Sequence, residues 1–156
     1  MAFATYKQKV VQYTGDGAAS QAVTGVGFAL NDGGQVAILI KGRNGGSALG
    51  GVFYTSNMPA GNSLPLAVGG ALITDGITAL GADGFTVGIN NRVNQTGVVY
   101  VAVVIHCGTQ HYAKLFTYAG DGVDERTVTV DANGWQADGL FLAGATAADD
   151  VHRGID

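Results

Sequence analysis

Apolar and polar positions along the chain change over in short stretches, with Gly, Asn and Asp between them. Phe85, Val87 and Ile89 alternate with Thr86 and Gly88, and Val128 and Val130 alternate with Thr127 and Thr129. A period of two is that of a half-buried strand. Val36–Ile40 and Val98–Ile105 are continuously apolar, which predicts central strands covered on both faces. The spacing predicts strands at Lys9–Tyr13, Ala22–Val26, Val36–Lys41, Val52–Thr55, Ala71–Thr74, Ile77–Leu80, Phe85–Ile89, Val98–His106, Lys114–Tyr118, Arg126–Val130 and Leu140–Ala143. Turn chemistry separates them, as at Ala82-Asp83-Gly84, Asn44-Gly45-Gly46 and Asn133-Gly134. Asn57–Val68 carries both prolines and predicts a long loop. No stretch sustains a helical period. Thr146-Ala147-Ala148-Asp149 has the form of a capping box, so one short helix is expected near the C-terminus. The expected fold is all-β: an antiparallel β-sandwich, jelly-roll-like, with at most that one helix. Tyr13, Phe28, Phe85, Val87, Tyr100 and Val101 are expected to build or edge its core.

An internal repeat divides the chain. Tyr13-Thr14-Gly15-Asp16-Gly17 returns 105 positions later as Tyr118-Ala119-Gly120-Asp121-Gly122. Each copy leads through a β-branched stretch to an aromatic residue, Phe28 or Trp135, and then to a Gly-containing turn and an apolar run. Residues 1–112 read as a β-sandwich module and 113–156 as a partial second repeat. An incomplete repeat buries its apolar face poorly, so its strands are expected to pack on the first module or on a neighbouring subunit.

Composition sharpens this picture. Only 13% of the 156 residues are charged, 47% are hydrophobic and 26 are Gly, which excludes a disordered chain and fits tight turns between short strands. Net charge is −4, unevenly placed: residues 1–120 hold six Lys/Arg and four Asp, a balance of +2, and residues 121–156 hold two Arg and eight acids, a balance of −6. An acidic arm docking on the weakly basic body of another copy would bring Asp149, Asp150 and Asp156 to Lys7, Lys9, Arg43 or Arg92. A solvated acidic tail is the plainer reading. The chain has no basic stripe for nucleic acid and no apolar run long enough to span a bilayer as a helix. The N-terminal residues lack a signal-peptide core, so synthesis in a reducing cytoplasm is expected, and the Asn94-Gln95-Thr96 sequon then has no meaning.

Candidate chemistry is sparse. Gly42-Arg43-Asn44-Gly45-Gly46-Ser47 is Gly-rich but lacks the Lys-Ser/Thr end of a phosphate loop. Asp16 and Asp121 sit in Gly-Asp-Gly turns, without the surrounding acids that calcium requires. His106 and Cys107 are neighbours on a strand and point to opposite faces, which separates them as base and nucleophile. Cys107 reads as a small buried hydrophobe that forms no intrachain disulfide. Glu125 is the single Glu, and nothing marks a carboxylate pair. No catalytic residues, metal ligands or cofactor are expected. Tyr54, Tyr100, Tyr112, Tyr118 and Trp135 fit either a core or interface, or a sugar-stacking groove.

The first module resembles a repeat module of bacteriophage virion proteins, found in tail and other surface components. The resemblance rests on Tyr13-Thr14-Gly15-Asp16-Gly17, Val26-Gly27-Phe28, Val36 to Lys41, Ile77-Thr78-Ala79-Leu80, Asp83-Gly84-Phe85-Thr86-Val87-Gly88, and Val93-Asn94-Gln95-Thr96-Gly97 before Val98-Val99-Tyr100-Val101. It implies a non-enzymatic virion structural protein, first a capsid decoration (cement) protein. The alternatives are a tail or fibre component and a carbohydrate-binding module for the host surface. The implied partners are further copies of the chain, in a trimer for instance, and virion proteins such as the major capsid protein. The implied location is the virion, after synthesis in the host cytoplasm.

Overall fold

The computed structural model describes residues 6–44, 50–66, 71–108 and 127. Eight strands and one helical turn follow in the order β1 (Tyr6–Thr14), β2 (Gln21–Thr24), β3 (Gln35–Gly42), β4 (Gly51–Thr55), β5 (Leu64–Leu66), β6 (Ile77–Leu80), β7 (Gly84–Val87), α1 (Asn91–Asn94) and β8 (Val99–Cys107). They form a five-stranded sheet, β1-β8-β3-β4-β5, and a three-stranded sheet, β2-β7-β6. Every strand pairing among the described residues is antiparallel. Side chains of both sheets share one core, so the molecule is an all-β, sandwich-like domain. The pairs β1–β8 and β2–β7 nest as they do in a jelly roll. The likeness stops there: β4 and β5 continue β3 as a meander, and β6 folds back on β7.

The two continuously apolar segments, β3 and β8, are interior strands of the larger sheet. Their faces differ. Val36, Ile38 and Ile40 of β3 and Tyr100, Ala102 and Val104 of β8 are buried against Val23, Ile77, Phe85 and Val87. The opposite face of β8, with Val99, Val101, Val103 and Ile105, is only half-buried. Phe85, Val87 and Tyr100 therefore belong to the core, and Tyr13 and Phe28 edge it. Val101 is a correction: strand parity turns it to the other face from Tyr100. Tyr13 bridges the two sheets, stacked on Tyr100 at 5.2 Å and edge-on to Phe85 at 6.4 Å.

Several boundaries depart from the alternation. Pro65 lies inside β5, within the predicted loop; β5 is an edge strand, where a missing N–H costs no ladder bond. Of Ala71–Thr74 only Ile73 pairs, in a bridge to Ser63. β7 ends at Val87 because Gly88 passes against the Asp75 backbone, where a Cβ would lie 2.6 Å from the Asp75 carbonyl oxygen. The helical turn sits at Asn91–Asn94, started by the Asn90 side chain, which accepts from the Arg92 N–H. The expected helix at 146–149, the strands at 114–118 and 140–143, and the repeat at 113–156 lie outside the described residues. Of the strand expected at 126–130, only Thr127 is described.

Candidate functional site: loop ties and an apolar sheet face

The first copy of the repeated motif is a docking loop. Asn94, fully buried at the end of α1, accepts from the N–H groups of Asp16 (2.9 Å) and Gly17 (3.2 Å) through Oδ1. Its Nδ2 donates to Asp16 Oδ1 (3.1 Å) and to the Ala18 carbonyl (3.0 Å). Two acceptor sites and two donors are thus all used. Thr96 Oγ1 donates to the Asp16 carbonyl. The glycines are required by this contact: a Cβ on Gly15 would run into the Gln95 carbonyl, and Gly17 has φ +72°. Tyr13 Oη donates to the Val93 carbonyl at 2.7 Å, and Tyr100 Oη donates to the Asn91 carbonyl while accepting from the Gln95 N–H. Burial raises the pKa of both phenols, with Tyr100 adding to the effect at Tyr13.

A second tie joins the loop before β3 to β8. His106 Nε2 lies 2.7 Å from Asp32 Oδ1, which also accepts from the Gly34 N–H at 3.0 Å. A Cβ on Gly34 would meet the imidazole, so only Gly lets the loop close over it. The Gly34 N–H, and then His106, hold the Asp32 carboxyl below the usual carboxylate range. His106 Nδ1 is buried without a partner. The third tie is Asp83, whose carboxylate accepts from the N–H groups of Gly25 (3.2 Å) and Gly27 (2.5 Å). Asp75, the fourth carboxylate of the body, sits at φ +58° and its carbonyl accepts from Asn90.

The residues singled out for chemistry are therefore mostly scaffold. Cys107 is buried, and burial raises its thiol pKa. Among the described residues no three His, Cys, Asp or Glu side chains come together. Tyr54 and Tyr100 are buried, so neither offers a stacking face; Tyr112, Tyr118 and Trp135 lie outside the described residues. A shallow depression of about 440 Å³ is lined by Asn31, Gln35, Ser56 and Asn57 with Leu30 and Leu80, and no aromatic residue among the described residues borders it.

The four candidate assembly cations do not form one patch. Lys7 pairs in register with His106 and its ammonium lies 5.6 Å from the Phe28 ring; Lys9 is exposed opposite Val104. Arg43 bonds through its backbone to Val99 and through its guanidinium to Gln12. Val99 and His106 are seven residues apart on β8, roughly 23 Å at strand rise. Arg92, half-buried, stands in α1, just before β8. Asp149, Asp150 and Asp156 lie outside the described residues.

The surface that stands out is the outer face of the large sheet. Register places Val10 beside Val103 and Val103 beside Leu39. Val10 is 61% exposed and Leu39 39%. Val99, Val101 and Ile105 extend this row along β8, and Gln8, Gln12 and Lys41 fringe it. Alternation alone did not reveal it, because a continuously apolar strand looks the same whether one face or both are covered. No protein-family model, curated protein or solved structure matches the chain.

Proposed function

We propose that the chain is a non-enzymatic structural protein of a bacteriophage virion, a capsid decoration (cement) component that acts through contacts between subunits. The observation that carries the reading is the apolar row Val10–Val103–Leu39 across the outer sheet face, exposed at Val10 and Leu39 and half-buried at Val103. An aliphatic face of this kind, rimmed by amides and cations, is the chemistry of a protein-protein contact. A second support is that the residues carrying the resemblance to virion modules, Gly15-Asp16-Gly17, Asp83 and Asn94 among them, tie loops to strands. They hold a scaffold and leave its faces to make contacts. A tail or fibre component uses the same face. A carbohydrate-binding module is the second reading, favoured by the amide and hydroxyl groups of Asn31, Gln35, Ser56 and Asn57 around the depression.

Sedimentation velocity and cosedimentation with undecorated phage capsids test the proposal. Wild-type protein is expected to self-associate or to bind the capsid. Val10→Asp with Leu39→Asp is expected to abolish both with an unchanged far-UV CD spectrum. A wild type that stays monomeric and binds no capsid or tail, yet gives a hit on a glycan array, transfers the function to the second reading.

A further inference from the structure

Among the described residues the two sheets end in β1, β5, β2 and β6. Three of these edges are blunted. β5 has three residues and contains Pro65, β2 has four, and β6 meets β7 through a register shift. β1 runs for nine residues in unbroken register with β8.

Hydrogen bonds at the end of β1 show which backbone groups face outward. The Gly15 N–H donates to the Val98 carbonyl at 2.8 Å, whereas the Thr14 carbonyl accepts from Gln21 Nε2 at 2.8 Å. Direction alternates along an antiparallel strand, so the odd-numbered residues of β1 bond to β8. Gln8, Val10 and Gln12 turn their N–H and C=O groups away from it. Their side chains lie on the outer face and are exposed.

This edge is self-complementary about Val10. Set antiparallel against β1 of a second copy, Val10 meets Val10, Gln8 meets Gln12 and Gln12 meets Gln8. Each of these pairs exchanges two backbone bonds. Gln8 Oε1 accepts from Tyr6 Oη and Gln12 Oε1 from Arg43 Nη1, each at 2.9 Å, which leaves each Nε2 to donate across the junction. The apolar row then becomes continuous: Leu39, Val103 and Val10 of one copy run on into Val10, Val103 and Leu39 of the next. Charge selects the register. About Val10, Lys9 falls opposite Val11 and Lys7 opposite Tyr13. Centring on Lys9 instead sets two ammonium groups face to face. Centring on Val11 sets Val10 against Gln12 and breaks the row.

We propose that β1 pairs antiparallel with β1 of a second copy about Val10, joining two five-stranded sheets into one continuous sheet across a two-fold axis. The inference deepens the reading of the outer face as a contact between subunits and rests on that reading; the virion assignment does not enter.

Sedimentation velocity and disulfide trapping on the full chain test it. Wild type is expected to sediment as a dimer. Val10→Pro removes an outward N–H, keeps an apolar side chain and leaves β1 bonded to β8. It is expected to sediment as a monomer with an unchanged far-UV CD spectrum. In a Cys107→Ala background, Val10→Cys is expected to form a disulfide between two chains under mild oxidation, since hydrogen-bonded partners lie about 5.5 Å apart. Gln8→Cys is expected to form none, because its counterpart lies four residues along the paired strand, roughly 13 Å away. A folded Val10→Pro protein that still dimerises, a Val10→Cys protein that does not cross-link, or equal cross-linking at both positions overturns the proposal. A wild type that stays monomeric overturns it too, and cosedimentation with capsids then decides whether the contact reading survives. If Val10→Pro does not fold, the two cysteine variants decide alone.

Discussion

Asp32 Oδ1 receives both His106 Nε2, at 2.7 Å, and the Gly34 N–H, at 3.0 Å, so one carboxylate oxygen fixes the loop before β3 to the end of β8. The contact separates two sequence features that look like chemistry. His106 is bound to a loop carboxylate, and its neighbour Cys107 is buried apart from it.

This tie is expected to show in the acid limb of stability. The folded Asp32 is held below its ordinary value of 3.8, chiefly by the Gly34 N–H and then by His106. Its contribution is therefore present above that value and lost as pH falls through the lower folded pKa. The carboxylate is largely solvent-exposed, so the contribution is small. Urea melts between neutral pH and pH 2 should show Asp32→Asn less stable than wild type at neutrality and converging on it in acid. Parallel curves would contradict the tie.

Asn94 is expected to tolerate no substitute. Asn94→Ala leaves the Asp16 and Gly17 N–H groups without an acceptor and should cost on the order of 2–4 kcal/mol in denaturant melts. Asn94→Asp keeps the shape but sets a carboxylate against Asp16 Oδ1 and the Ala18 carbonyl, where Nδ2 donated. Its deficit should shrink on acidification, whereas that of Asn94→Ala should not. The same burial predicts no occupancy of the Asn94 sequon in a glycosylating host.

In the core, Phe85→Ala removes a buried ring that Tyr13 meets edge-on, and should cost about 3–5 kcal/mol. Tyr100→Phe keeps the packing and removes the bonds to Asn91 and Gln95, so about 1–2 kcal/mol is expected. Equal losses for the two would misplace the core.

The thiol of Cys107 should react with a thiol-specific disulfide reagent only as fast as the native state opens. Burial both shields it and raises its pKa, which lowers the thiolate fraction. Immediate modification at neutral pH in native buffer, and no acceleration in denaturant, would refute the placement of β8.

Alternation and turn residues were enough to locate most strands and the β class, because a period of two and Gly-Asp turns are local properties of the chain. They placed Phe85, Val87 and Tyr100 among the core positions and read Gly15-Asp16-Gly17 as a turn. They misassigned Val101, since a continuously apolar run does not say which parity faces inward until a second sheet covers one side. They missed β5, because a proline is compatible with a strand only at an edge, and edges exist only in the assembled sheet. The partnership of Asp16 with Asn94 spans 78 residues and that of Asp32 with His106 spans 74. Such pairs are set by strand order and register, which bring distant loops together. By itself the sequence determined where most of the described strands and turns lie; tertiary packing alone decided which carboxylates and amides meet, and which apolar face is left outside.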